Sequence, residues 1–342
     1  MEKAINVVSK SSTIKTKTKA KPPVSRFFLY NGGMKHSKFL HKFWNSLNDM
    51  EDKISLLDTY QSDVSVIRNL TYTNYSKDNQ SLDLLYPPDE KEMYPVILLV
   101  HGGGFVSGNH TRFYIDYASR LAKRGFLVAN ISYRLSGDFA FPTSLEDLFL
   151  ALKFLIDQAP TYHCDLNNVF LVGESAGATL SSLMAAILTN PELKKKYPFA
   201  FDFKLKGCGL SCGIYDVETT LKELYWVPLK KATMAEVFMR QDFRNAPLYA
   251  QASALHFVTS DFPPTYLMTS ALDFLMPQTQ HMRRRFIEKK VLYVYDFYPL
   301  KAMLPHSFHT KFFYSQSKTA MDRMVIFFES LMKSANKVNF RL

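Results

Sequence analysis

An apolar run, Val169-Phe170-Leu171-Val172, leads directly into Gly173-Glu174-Ser175-Ala176-Gly177, and that pentapeptide opens an Ala/Leu-rich stretch of helical character. A chain passes from strand to helix this abruptly only through a crowded turn, in which the positions two before and two after the serine have no room for a large side chain. Both are glycine. Such a turn lifts the Ser175 hydroxyl above the end of its strand and leaves the Ala176 N–H at a helix N-terminus, where a developing anion is stabilised. The feature therefore constrains fold and chemistry together.

A second motif reinforces it. His101-Gly102-Gly103-Gly104-Phe105 directly follows an aliphatic strand, Val96 to Val100. Successive glycines allow backbone N–H groups to turn toward a substrate oxygen, so the Gly103, Gly104 and Ala176 N–H groups form the expected oxyanion hole. Serine is a poor nucleophile at neutral pH and needs a base held by a carboxylate; in this architecture the chain order is Ser, acid, His. Asp273 follows the strand Thr265 to Thr269, and His306 follows the strand that ends near Phe297. His309 is the rival base, set second because His306 comes first after strand and loop. Asp261 and Asp296 are the rival acids; one precedes its strand and the other sits inside one.

The remaining sequence has a matching rhythm. A hairpin is expected over Thr71 to Leu85, and further strands at Phe126 to Tyr133, Phe203 to Leu210 and Val291 to Phe297. Helices are expected at 111–124, 144–158, 176–189, 277–289 and 317–334. Strands separated by helices predict a mostly parallel sheet covered on both faces. Residues 217–260 break the rhythm and read as an insertion over the carboxyl edge of the sheet. Three of its aromatic residues, Trp226, Phe238 and Tyr249, together with Phe105, are candidates to line a substrate pocket, with plain core packing as the competing expectation.

Taken together, HGGGF, GESAG, the Asp273 segment and the His306 segment resemble the hormone-sensitive-lipase-like esterase branch of the α/β-hydrolase superfamily. Ser132-Tyr133-Arg134-Leu135 and Phe262-Pro263-Pro264-Thr265 match as well. The resemblance covers roughly residues 70–335. It implies a central eight-stranded sheet with a helical cap, hydrolysis of short- to medium-chain carboxylic esters through an acyl-enzyme, and no cofactor or metal. Ser211-Cys212-Gly213-Ile214-Tyr215-Asp216 is similar to kynurenine-formamidase-like members, which makes an arylformamidase or other amidase the alternative. A non-catalytic receptor on the same fold is a further one. The chain departs from the branch at Ser136-Gly137-Asp138-Phe139, at Phe274 after the aspartate, and at Ser307, where glycine usually follows the histidine.

Charge separates the ends of the chain. The formal net charge is +11, of which residues 1–50 hold +8 and the rest +3, so the body carries no basic stripe of the kind that binds nucleic acid. Residues 1–24 read as a flexible basic tail, 25–63 as an N-terminal helical cap segment, and 64–342 as the catalytic domain. Three cysteines without a CxxC pair point to neither a disulfide framework nor a zinc site, and no apolar run approaches a membrane span or a signal peptide. The expectation is a cytoplasmic protein, monomer or homodimer, without integral membrane association.

Overall fold

The computed structural model describes residues 64–73, 79–110, 113–223 and 230–333, together with Lys42 and Ser46. Eight strands form one sheet: β1 (Ser65–Thr71), β2 (Ser81–Tyr86), β3 (Tyr94–Val100), β4 (Leu127–Ile131), β5 (Cys164–Glu174), β6 (Gly207–Ser211), β7 (Thr265–Ser270) and β8 (Tyr293–Tyr298). Their spatial order is β1-β2-β4-β3-β5-β6-β7-β8. Pairing is antiparallel for β1/β2 and β2/β4 and parallel from β4 to β8. This is the expected mostly parallel sheet, with one antiparallel edge.

The parallel strands read as unbroken aliphatic runs because both of their faces are covered. In β3, Val96, Leu98 and Val100 point into one apolar cluster and Ile97 and Leu99 into the other, the two-residue period of a strand dividing one run between two cores. The first core is closed by α2 (Thr143–Asp157), α3 (Ala176–Thr189) and α6 (Met276–Lys289). The second is closed by α1 (Phe113–Ala122) and α7 (Ser315–Lys333). Each of these five helices lies within two residues of the span its periodicity predicts.

Two strands start earlier than expected. β1 begins at Ser65 rather than Thr71; it is mostly exposed, so it has no apolar alternation to read, and its backbone pairing with β2 holds it in place. β5 extends back from Val169 to Cys164, a polar stretch drawn into the sheet by pairing with Tyr94 and Pro95 of β3.

Between β6 and β7 the described residues contain α4 (Val217–Glu223), α5 (Lys230–Val237), two short 3₁₀ turns and no strand. Trp226, the tail 1–24 and all of 25–63 except the helical residues Lys42 and Ser46 lie outside the described residues. The loops leaving β3, β5, β6, β7 and β8 carry His101, Ser175, Cys212, Asp273 and His306. Because these strands run parallel, all five loops leave the same edge of the sheet.

Candidate active site

The turn between β5 and α3 is as crowded as its sequence demands. A Cβ on Gly173 would overlap the backbone of Gly177, and one on Gly177 would overlap the Val100 carbonyl. Ser175 itself has φ 52° and ψ −119°, a backbone that side chains rarely tolerate; the Ser175 N–H donates to the Ser211 carbonyl at 2.9 Å, which holds the strained turn against β6.

His306 Nε2 lies 2.9 Å from Ser175 Oγ, and His306 Nδ1 lies 2.7 Å from Asp273 Oδ1. The structure thus brings the three sequence candidates into one hydrogen-bonded chain. Asp273 is buried and further held by the Leu275 N–H at 2.9 Å on Oδ1 and the Thr269 hydroxyl at 2.8 Å on Oδ2. Burial alone would raise its carboxyl, but the His306 imidazole and these two donors outweigh burial and hold it below the usual carboxylate range. For His306, burial works against the charged form, while the neighbouring Cys212 sulfur and the Asp273 carboxylate raise it well above the ordinary imidazole value. Burial pushes the Cys212 thiol up, which keeps it protonated, so Asp273 is the partner that stabilises an imidazolium. Phe274 packs its ring against His306 with centroids 4.3 Å apart.

On the loop after β3, Gly103 has φ 105° and Gly104 φ 61°. The Gly103 carbonyl turns inward and accepts from Val106 N–H at 3.3 Å and Ser107 N–H at 3.1 Å, while the Gly103 and Gly104 N–H groups make no hydrogen bond among the described residues. Ala176 is the first residue of α3, so its N–H has no acceptor within the helix. His101 is buried and stacks on Tyr133 at 4.1 Å; burial pushes its imidazole down to about 4.

The rivals lie elsewhere. His309 is buried edge-on against Tyr117, and burial followed by the Lys311 charge pushes it down to about 3. Asp296 accepts hydrogen bonds from Tyr298 at 3.0 Å and Arg323 at 2.6 Å, and Asp261 sits in the exposed turn before β7. Of the candidate pocket residues, Phe105 is buried beside Gly104. Phe238 and Tyr249 pack in an aromatic group with Phe141 and Phe243, and the Tyr249 hydroxyl donates to Glu218 at 2.8 Å. The contacts of these two rings are those of core packing.

Two arrangements escaped the sequence reading. The ligand-type atoms of Glu174, Cys212 and His306 lie within 4.8 Å of one another, although they come from three separate loops. The His306 nitrogens are already taken up by Asp273 and Ser175, and the Glu174 oxygens accept from Tyr114 and Ser307. A second serine, histidine and aspartate also meet: His110 Nδ1 lies 2.6 Å from Ser132 Oγ, and His110 Nε2 lies 3.5 Å from Asp83 Oδ1. No sequence signal marked either group, because neither forms a local motif.

No helix among the described residues is long and apolar enough to cross a membrane. The chain is 27% identical over 169 residues to a putative alpha/beta hydrolase of Acanthamoeba polyphaga mimivirus, covering 45% of this chain and 48% of that one. It is 26% identical over 215 residues to the probable carboxylic ester hydrolase LipM of Mycobacterium tuberculosis, covering 62% of this chain and 49% of that one. The chain therefore spans about half the length of these curated relatives. Esterase B of Lactobacillus Rhamnosis superposes with a TM-score of 0.78 at 24% identity, over 87% of this chain and 95% of that one, a likeness of fold. The BD-FAE family model matches residues 82–285, a span that runs from β2 through the glycine loop, the nucleophile turn and the aspartate loop into α6. On this match, with the sheet order found, the chain belongs to the BD-FAE family and is a hormone-sensitive-lipase-like member of the α/β-hydrolase superfamily.

Proposed function

We propose that the chain is a serine hydrolase that cleaves short- to medium-chain carboxylic esters. The observation that carries this reading is the unbroken hydrogen-bonded chain from Asp273 through His306 to the strained Ser175, all at one edge of the sheet. His306 Nε2 takes the Ser175 proton as Oγ attacks the ester carbonyl, and Asp273 keeps Nδ1 protonated and stabilises the imidazolium. The Gly103, Gly104 and Ala176 N–H groups receive the oxyanion. His306 then gives its proton to the leaving alcohol, and a water activated by the same imidazole attacks the acyl-enzyme and frees the acid. The relatives named as esterases and carboxylic ester hydrolases support the reaction class.

Ser175→Ala is expected to abolish hydrolysis of p-nitrophenyl butyrate with the thermal transition unchanged, and to abolish labelling by a fluorophosphonate probe. Full turnover in that variant overturns the proposal. The formamidase alternative rests on the Ser211 to Asp216 segment alone, and faster turnover of N-formylkynurenine than of any C2 to C12 ester would favour it.

A further inference from the structure

Glu174 stands inside the nucleophile turn, and its side chain enters a buried junction beside the His306 loop. Its Oε1 accepts from the Tyr114 hydroxyl, and that hydroxyl in turn accepts the Gly102 N–H at 2.7 Å. Its Oε2 accepts from the Ser307 hydroxyl, one residue beyond His306. The approach is so close on the glycine side that a Cβ on Gly102 would overlap Glu174 Oε1. Ser307 has φ 56°, a conformation that glycine adopts freely and serine does not. A serine kept where a glycine would relax the backbone must return something for the strain, and the only side-chain group it adds is the hydroxyl bound to Glu174.

We infer that Glu174, with Tyr114 and Ser307, is the positioning group that locks three separate loops into one catalytic geometry. One carboxylate holds the glycine loop through Tyr114, the nucleophile turn through its own backbone, and the His306 loop through Ser307. None of these three residues touches the reacting atoms; they act on where the Gly103 and Gly104 N–H groups and the His306 imidazole sit. Cys212, with its sulfur 3.6 Å from Ser307 Oγ, fills the remaining side of the junction. The inference rests on the hydrolase reading for its kinetic consequence and on geometry alone for the brace itself.

The test compares Ser307→Gly, Glu174→Gln and the double variant in the full chain. Glycine suits the backbone at 307, so the first variant keeps the fold and loses only the hydroxyl. On p-nitrophenyl butyrate, kcat is expected to fall about 10-fold for Ser307→Gly and about 100-fold for Glu174→Gln, the scale on which small displacements cost rate, with KM nearly unchanged. The double variant is expected to be no slower than Glu174→Gln, since the hydroxyl then has nothing to act through. The ascending pH limb of Ser307→Gly is expected to move toward the ordinary imidazole value as His306 drifts from Asp273. Wild-type kcat in Ser307→Gly, or factors that multiply in the double variant, would overturn the inference. Amide hydrogen exchange supplies a readout without turnover: Glu174→Gln is expected to speed exchange at both 101–104 and 304–310. Unchanged exchange at both segments sinks the brace whatever the activity. A wild-type chain that neither turns over esters nor takes the fluorophosphonate probe sinks the hydrolase reading and leaves exchange to decide the brace.

Discussion

The molecule holds two serine, histidine and aspartate arrangements, and their differences say more than their similarity. Around His306 the distances are 2.9 Å to serine and 2.7 Å to aspartate; around His110 they are 2.6 Å and 3.5 Å. By distance alone both groups contain a base beside a hydroxyl. Ser132, however, is buried, and its oxygen already accepts the His110 backbone N–H at 2.9 Å. Asp83 serves the Asn69 N–H at 2.8 Å and Arg68 at 3.3 Å, so its work is to tie β1 to β2. Ser132 lies beyond the end of β4, with no strained turn and no helix N-terminus behind it. The electrostatics diverge as well: burial pushes His110 below its ordinary value, whereas the Asp273 carboxylate helps to hold His306 above it. A triad is therefore recognised by access, by backbone strain at the nucleophile and by nearby free N–H groups. Side-chain identity and spacing alone do not make one.

The strongest way to break this contrast is to neutralise each aspartate. Asp273→Asn removes the group that fixes the imidazole tautomer, and kcat is expected to fall about 10⁴-fold. Asp83→Asn is expected to leave ester turnover nearly intact and to cost about 1–3 kcal/mol of stability, read by denaturant unfolding, because the buried carboxylate that accepts from Asn69 N–H and Arg68 loses its charge and one of its acceptor oxygens. Equal losses of activity in the two variants would erase the distinction.

The next contrast is in pH. His306 must be neutral to accept the serine proton, and its affinity for protons is raised in the fold, so kcat/KM is expected to climb with pH along a limb above the ordinary value of about 6.5. The buried histidines behave oppositely. His101 and His309 are held at about 4 and about 3. The unfolded chain takes up protons at these residues below about pH 6.5 while the folded chain does not, so their contribution erodes as pH falls from there toward those values. Thermal melting between pH 7 and 4 checks the sign: a transition that rises on acidification contradicts it.

The smallest effect is expected at Phe274, whose ring covers one face of the His306 imidazole. Phe274→Leu keeps the apolar cover and removes the aromatic face, so the kinetic limb is expected to move down by a few tenths of a pH unit, the scale of an exposed cation–π contact. An unmoved limb would assign the ring to packing alone.

Much of this was legible beforehand. The five long helices follow from their periodicity, and the central strands from unbroken aliphatic runs, because burial on both faces leaves a composition signal. Chain order and place after strands single out Asp273 and His306, and the structure brings both into hydrogen-bonded line with Ser175. The edge strand β1 and the first half of β5 were missed because pairing, which leaves no mark on side-chain pattern, is what holds them. Aromatic character in an insertion suits Phe238 and Tyr249 to a pocket wall, and their ring contacts are with Phe141, Phe243 and each other. Aromatic composition cannot separate those roles, since both want an apolar wall.

The sequence by itself determined the nucleophile turn, since only glycine fits two positions before and two after Ser175, and with it the parallel sheet and the edge at which chemistry can occur. Only the tertiary structure shows His306 hydrogen-bonded between Ser175 and Asp273 while His309 lies buried against Tyr117 and His110 beside the buried Ser132, because burial and partners are set by packing. It also decided that Glu174, Tyr114 and Ser307 meet. Residues this far apart in the chain come together only when the sheet aligns the loops that carry them, and no local pattern encodes that alignment.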